Sequence, residues 1–159
     1  MLDLFNILLS DINKKVLRNK ISTELGLAYL LETAHLTSPY TTVDGILFGR
    51  YNRVLFPLVV RFPRKSHSYI IHFVYGTRSP HTFLSKEACD KLFGTNPVPS
   101  QFFIQINSKE IQVNPPNADS HFEHVNLLGA DFCAYSGTKA IINYVKRTAT
   151  IHFSPRQYE

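Results

Sequence analysis

Two apolar runs constrain this chain more than anything else in it. Val54-Leu55-Phe56-Pro57-Leu58-Val59-Val60-Arg61-Phe62 and Ser68-Tyr69-Ile70-Ile71-His72-Phe73-Val74-Tyr75 are rich in β-branched and aromatic residues. Such side chains suit a pleated surface and lose rotamer freedom in a helix. The polar segment Pro63-Arg64-Lys65-Ser66 between them predicts a turn, so the two runs are expected to return on each other as paired strands. Composition points the same way. Twelve Phe and eight Tyr against one Met and no Trp favour strands. A hydrophobic fraction of 44% with only 18% charged residues excludes a disordered chain. At 159 residues the chain is the size of one domain.

More strands follow. Ile46-Leu47-Phe48 precedes the long pair, and the short Thr82-Phe83-Leu84 comes after it. Phe102–Ile106 and Glu110–Val113 flank Asn107-Ser108-Lys109 as a hairpin, Val125–Gly129 predicts a buried strand, and Ala140–Val145 with Thr148–Phe153 forms a last pair. Ser85-Lys86-Glu87 caps a brief helix through Cys89 and Leu92 that Gly94 closes. Asp44-Gly45 has turn composition. Residues 1–38 differ in texture. Leu2, Phe5, Leu9, Ile12 and Val16 recur at helical spacing, and Ser22-Thr23-Glu24 predicts the start of a second helix that stops before Pro39. The expectation is an N-terminal α-helical hairpin (1–38) attached to a mainly β domain (39–159) that closes into a barrel. The helical stripe Leu2, Phe5, Leu9, Ile12 and Val16 needs a cover, which makes it a candidate partner interface or a surface folded back on the domain.

Several chemistries find little support. Cys89 and Cys133 stand far apart and form no zinc-binding pattern, so the expectation is two buried free thiols. His121-Phe122-Glu123-His124 has metal-ligand residues but no third ligand in register, and no metal or other cofactor is expected. No Gly-x-Ser-x-Gly elbow activates Ser79 or Ser136, and no Gly-rich phosphate loop occurs. No apolar run approaches the roughly 20 residues that a bilayer needs, and the first residues lack the pattern of a secretory signal. The expected setting is therefore intracellular, cytoplasmic or nuclear, without membrane attachment. A net charge of +5 is mild. Arg50, Arg53, Arg61, Arg64 and Lys65 cluster among Tyr51, Phe56, Phe62 and Tyr69, a pattern that can bind nucleic acid but more often marks a solvated strand face.

Two segments together carry a family resemblance. Phe73-Val74-Tyr75-Gly76-Thr77-Arg78-Ser79-Pro80-His81-Thr82-Phe83-Leu84-Ser85 and Val125-Asn126-Leu127-Leu128-Gly129-Ala130-Asp131-Phe132 resemble the retropepsin-like aspartic proteases of retroviruses and retrotransposons. In that family a strand runs into Asp-Thr-Gly-Ser, and a later apolar-apolar-Gly strand leads into an acid or amide and a short helix. The resemblance spans about residues 45 to 154 and implies a closed acid-protease barrel. It places Gly76 where the catalytic Asp belongs, keeps Thr77, puts Arg78 where the motif glycine belongs, and retains Ser79. That chemistry needs two carboxyl groups sharing one proton, one acting as base and the other as acid. Glycine offers no proton. Only 51 positions separate Gly76 from Leu127, which implies a shortened flap. Asp131 is expected to cap the helix, and Asp90 and Asp119 fall in helix and loop.

The resemblance therefore implies a degenerate, catalytically inactive domain whose loop Gly76, Thr77, Arg78 and Ser79 survives without a catalytic residue, and whose role is protein interaction or homodimerisation. The expected partner is a protein or a second copy; the loop is either a plain strand-to-strand turn or a reshaped pocket for an anion or a peptide-like ligand, and nucleic acid is disfavoured. The competing expectations are an aspartic endopeptidase that draws its acid from elsewhere, and a nucleic-acid-associated module.

Overall fold

The computed structural model describes residues 11–34, 38–63, 65, 67–116 and 121–154. The described residues form nine strands: β1 (Glu32–Ala34), β2 (Thr42–Phe48), β3 (Arg53–Arg61), β4 (His67–Tyr75), β5 (Phe102–Ile106), β6 (Lys109–Val113), β7 (Asn126–Leu128), β8 (Thr138–Asn143) and β9 (Thr148–Phe153). The helices are α1 (Lys14–Val16), a π turn (Leu17–Ile21), α2 (Ser22–Leu25), α3 (Lys86–Phe93), a 3-10 turn (His121–His124) and α4 (Ala130–Ser136). All strands join one mainly antiparallel sheet in the order β1-β4-β3-β2-β9-β8, with β5 on β3, β6 on β5, and β7 parallel to β4.

The two apolar runs pair as expected, Leu55 opposite Val74 through Val60 opposite Tyr69. On its other side β3 pairs with β2 up to Leu55 and with β5 from Val60. Pro57, which has no N–H to donate, falls between those two partners. The hairpin β5–β6 turns through Asn107 and Ser108, both at positive φ, and its inner residues Ile104, Ile106 and Val113 are fully buried. It is a part of the sheet rather than a free-standing flap.

The sheet is open, not the closed barrel expected. β1 and β8 end it, each paired on one side only. β1 is only three residues long and commits all three to β4, so among the described residues nothing bridges the two ends.

The second helix of the expected hairpin does not form among the described residues: residues 26–31 carry turns and residues 32–34 a strand. Among the described residues helix starts at Lys14, capped by Asn13 Oδ1 accepting from Val16 N at 2.9 Å, and runs without interruption into α2. Ser22 lies inside that run rather than at a start, its hydroxyl donating back to Leu17 O. Gly26 then ends the helix in the left-handed region at φ +74°, with Gly26 N and Leu27 N both donating to Ser22 O. A glycine just past an apolar stretch is a stop signal, and the chain beyond it becomes β1 instead of a second helix. Leu17 and Ile21, one helical turn apart, have no exposed surface and share a single core with Leu55, Phe56, Ile71, Phe73 and Phe132.

Asp44-Gly45 is strand, not turn. Gly45 pairs with Ala149, and a Cβ there would overlap Leu55 O and the Phe56 ring. Glycine lets β2 cross over a buried phenylalanine. Gly45→Ala is therefore expected to lower unfolding stability in urea by about 1–3 kcal/mol; a loss below about 0.5 kcal/mol would show that the approach is not tight.

Candidate functional site

The site is built where β4 ends. After Tyr75 the chain turns through Gly76–Ser79, closed by Ser79 N donating to Gly76 O at 3.0 Å, and returns at Phe83. β7 lies between these two arms. It runs parallel to β4, with Leu127 opposite Val74, and antiparallel to Phe83, with Phe83 N to Leu127 O at 2.9 Å and Leu127 N to Phe83 O at 2.8 Å. The inserted strand is held at both ends by side chains.

At its start, Asn126 is fully buried. Its Oδ1 accepts from Ser85 N at 2.8 Å, and its Nδ2 donates to Tyr29 Oη at 2.7 Å and His72 O at 3.0 Å. At its far end, Gly129 N donates to Thr82 Oγ1 at 3.0 Å, and that hydroxyl donates to Asp131 Oδ1 at 2.7 Å. A Cβ on Gly129 would overlap the backbone of His81. Asp131 is not the helix cap expected: Gly129 occupies that position, and Asp131 lies in the first turn of α4. Its carboxylate is aimed at Thr82 and at Phe132 N. The acid thus ties α4 to the returning arm.

The four loop residues divide into two roles. Ser79 is buried, with its hydroxyl donating to His81 O at 2.7 Å and its carbonyl accepting from Ala130 N at 2.7 Å, so it holds the loop against α4. Gly76 is half-buried, while Thr77 and Arg78 are exposed. A Cβ at Gly76 would overlap Leu127 Cδ1, and Leu127 is only 2% exposed. Gly76, Thr77 and Arg78 border a cleft of about 290 Å³ with Tyr51, Arg53, Val54, Val74, Tyr75 and Leu127. Among the described residues no Asp or Glu lines it.

Other sequence candidates are placed elsewhere. Ile12 is 2% exposed and Val16 packs against the core, so this chain itself covers that end of the stripe. Leu2, Phe5 and Leu9 lie outside the described residues, as does Asp119. Asp44 accepts from Thr150 Oγ1 on the neighbouring strand, and Asp90 pairs with Lys86 one helical turn away. Cys89 is buried and its thiol is pushed up to about 12 by burial; Cys133 is only half-buried, its thiol also raised by burial. The basic cluster is largely engaged. Arg53 forms a two-pronged pair with Asp11 at 2.8 and 3.1 Å, Arg61 donates to Gln105 Oε1 and Lys65 O, and Arg50 donates to Tyr51 Oη; Arg64 lies outside the described residues. His121–His124 forms one 3-10 turn, and among the described residues no group of three or more His, Cys, Asp or Glu side chains is placed to hold a metal. Among them, too, no helix is long and apolar enough to cross a membrane.

Comparison with protein-family models, curated proteins and solved structures found no match to this chain.

Sequence reading missed a buried polar network beneath the site. His72 Nε2 lies 3.2 Å from Ser22 Oγ and 3.1 Å from Leu27 O, and its ring meets that of Tyr29 at 5.2 Å. Tyr29 Oη in turn bridges Ser85 Oγ and Asn126 Nδ2. The only signal was polar residues inside apolar runs, and their partners lie 41 to 97 positions away. Burial lowers His72 to about 4 and raises Tyr29 to about 12. Because the folded imidazole resists the proton that an unfolded one takes up near pH 6.5, its contribution to stability is complete above that pH. It is lost as pH falls toward about 4. Urea titrations are expected to show wild type losing about 3 kcal/mol more than His72→Gln over this interval. Parallel pH profiles would refute the assignment.

Proposed function

We propose that this chain is a retropepsin-like domain without peptidase chemistry that serves as a protein-interaction module, engaging a peptide-like segment at the Gly76–Arg78 cleft or a second copy of itself. The observation that carries the reading is the cleft beside position 76. Among the described residues no carboxylate lines it, and the volume that a side chain at 76 would enter is filled by Leu127. General acid–base hydrolysis of a peptide needs a proton donor and an acceptor within hydrogen-bond reach of the reacting atoms. Arg78 at these pH values offers only donors.

The fold relation is supported by the strand inserted between the two arms of a turn, by the apolar-apolar-Gly run that forms it, and by an acid following in the first turn of a short helix. The interaction role is supported by surface that has no catalytic use. β8 is an edge strand with one unpaired side, Ile141 on it is about half exposed, and Tyr144 and Val145 project from the turn that follows. Unpaired edges with apolar side chains accept added strands.

A peptide-library digest between pH 3 and 7, with and without a pepstatin-like inhibitor, tests the reading. No cleavage is expected from wild type. Gly76→Asp is also expected to yield none and to lose about 1–3 kcal/mol, because Leu127 must move. Inhibitor-sensitive cleavage by wild type would overturn the reading in favour of an active endopeptidase. In light scattering, a monomer mass independent of concentration would remove self-association and leave the partner form.

A further inference from the structure

We infer that the cleft recognises a carboxylate, held by Arg78, and that the natural ligand is an acidic side chain presented by a peptide segment. This rests on the reading of the cleft as a docking site and names its chemistry.

The cleft contains two guanidinium groups in different states. Arg53 is already filled: Asp11 takes it in a two-pronged pair, and both side chains are mostly buried, at 12% and 23% exposure. Arg78 is exposed on the cleft wall, and neither it nor Thr77 has a hydrogen-bond or ion-pair partner among the described residues. The cleft wall therefore carries one guanidinium already taken by a carboxylate outside the lining and one open guanidinium. A planar guanidinium matches a planar carboxylate through two parallel N–H···O bonds.

The remaining lining says what accompanies the charge. Val54, Val74 and Leu127 give the cleft an apolar side, and Tyr51 and Tyr75 supply rings. This suits the methylenes of a Glu side chain and the backbone beside it. A volume of about 290 Å³ admits one such residue and not a folded surface. Polyphosphate or nucleic acid fits less well. Asp11 cancels the charge of Arg53, leaving one open cation on the cleft wall, whereas nucleic-acid binding draws on several phosphate contacts.

The test is an amide-shift titration of the full 15N-labelled chain with four probes: acetyl-Glu-methylamide, acetyl-Gln-methylamide, acetyl-Val with a free carboxyl group, and inorganic phosphate. Saturable shifts at residues 51–54 and 76–78 are expected with the Glu probe, at least about tenfold weaker with the Gln probe. Arg78→Gln should lose the Glu response while its spectrum elsewhere stays that of wild type. Weaker binding of acetyl-Val than of the Glu probe assigns the ligand to a side chain. Stronger binding of acetyl-Val would overturn that source and assign a chain terminus. Equal response to Glu and Gln probes would overturn the inference and leave a peptide-binding cleft standing. Phosphate binding as tightly as the Glu probe, no saturable shift at all, or an unaffected Arg78→Gln would overturn it outright. Cleavage in the digest above would instead overturn the inactive reading and leave the carboxylate preference to be judged on these shifts alone.

Discussion

The arrangement depends on one insertion: three residues of β7 pushed between β4 and Phe83, deep in the molecule. A buried backbone must pair all of its N–H and C=O groups, because the cost of leaving one unmet exceeds what a typical hydrogen bond gains. β7 meets this demand on both edges, parallel on one and antiparallel on the other. A strand of three residues has too little ladder to fix itself. The side chains of Asn126, Thr82 and Asp131 supply the rest, and Gly129 allows α4 to start against the backbone of His81. The loop Gly76–Ser79 is the visible end of this internal joint.

The same insertion accounts for the glycine at 76. Leu127 serves two surfaces, packing in the core and forming a wall of the cleft. Its side chain reaches the space above residue 76, and Gly76 N is fixed to Leu128 O at 3.0 Å. Position 76 is thus pinned by its backbone and crowded on its side-chain face. An acid there would need both a displaced leucine and a polar setting, and the present lining offers only the first at the expense of the core.

Legibility in the sequence followed the range of the interactions involved. The paired runs, the hairpin at Asn107-Ser108 and the helix from Ser85 to Gly94 are local: strand propensity, turn residues and caps lie within a few positions, and all were readable. Ser85 accepts from Ala88 N at 3.1 Å, the capping bond that its position implied. The second helix was misread because periodicity outweighed a single punctuating residue, Gly26, and because Glu32–Ala34 becomes a strand only through β4, more than thirty positions away. Gly45 carried the composition of a turn and the role of a crossing, a distinction made by Phe56 beneath it. The loop residues were singled out in the sequence by a motif, but the cleft was not, since Tyr51 and Arg53 join it from another hairpin.

Polar groups in so apolar a core need a reason beyond stability, since well-packed hydrophobic residues serve that end as well. Register supplies one. Val125, Asn126, Leu127 and Leu128 are all buried, so apolar packing alone would tolerate a slip of β7 along β4. Asn126 does not. Its amide satisfies Ser85 N, Tyr29 Oη and His72 O together only in the observed register. A shift by one residue would set Val125 or Leu127 against those groups and leave them unpaired in the interior. Tyr29 and His72 extend the same bonds to Ser22 and Leu27, so the segment before β1 is fastened to the strand that positions the loop. Placement of Gly76, Thr77 and Arg78 is thereby set by an asparagine fifty positions later and a tyrosine near the start of the chain, neither of which touches the cleft.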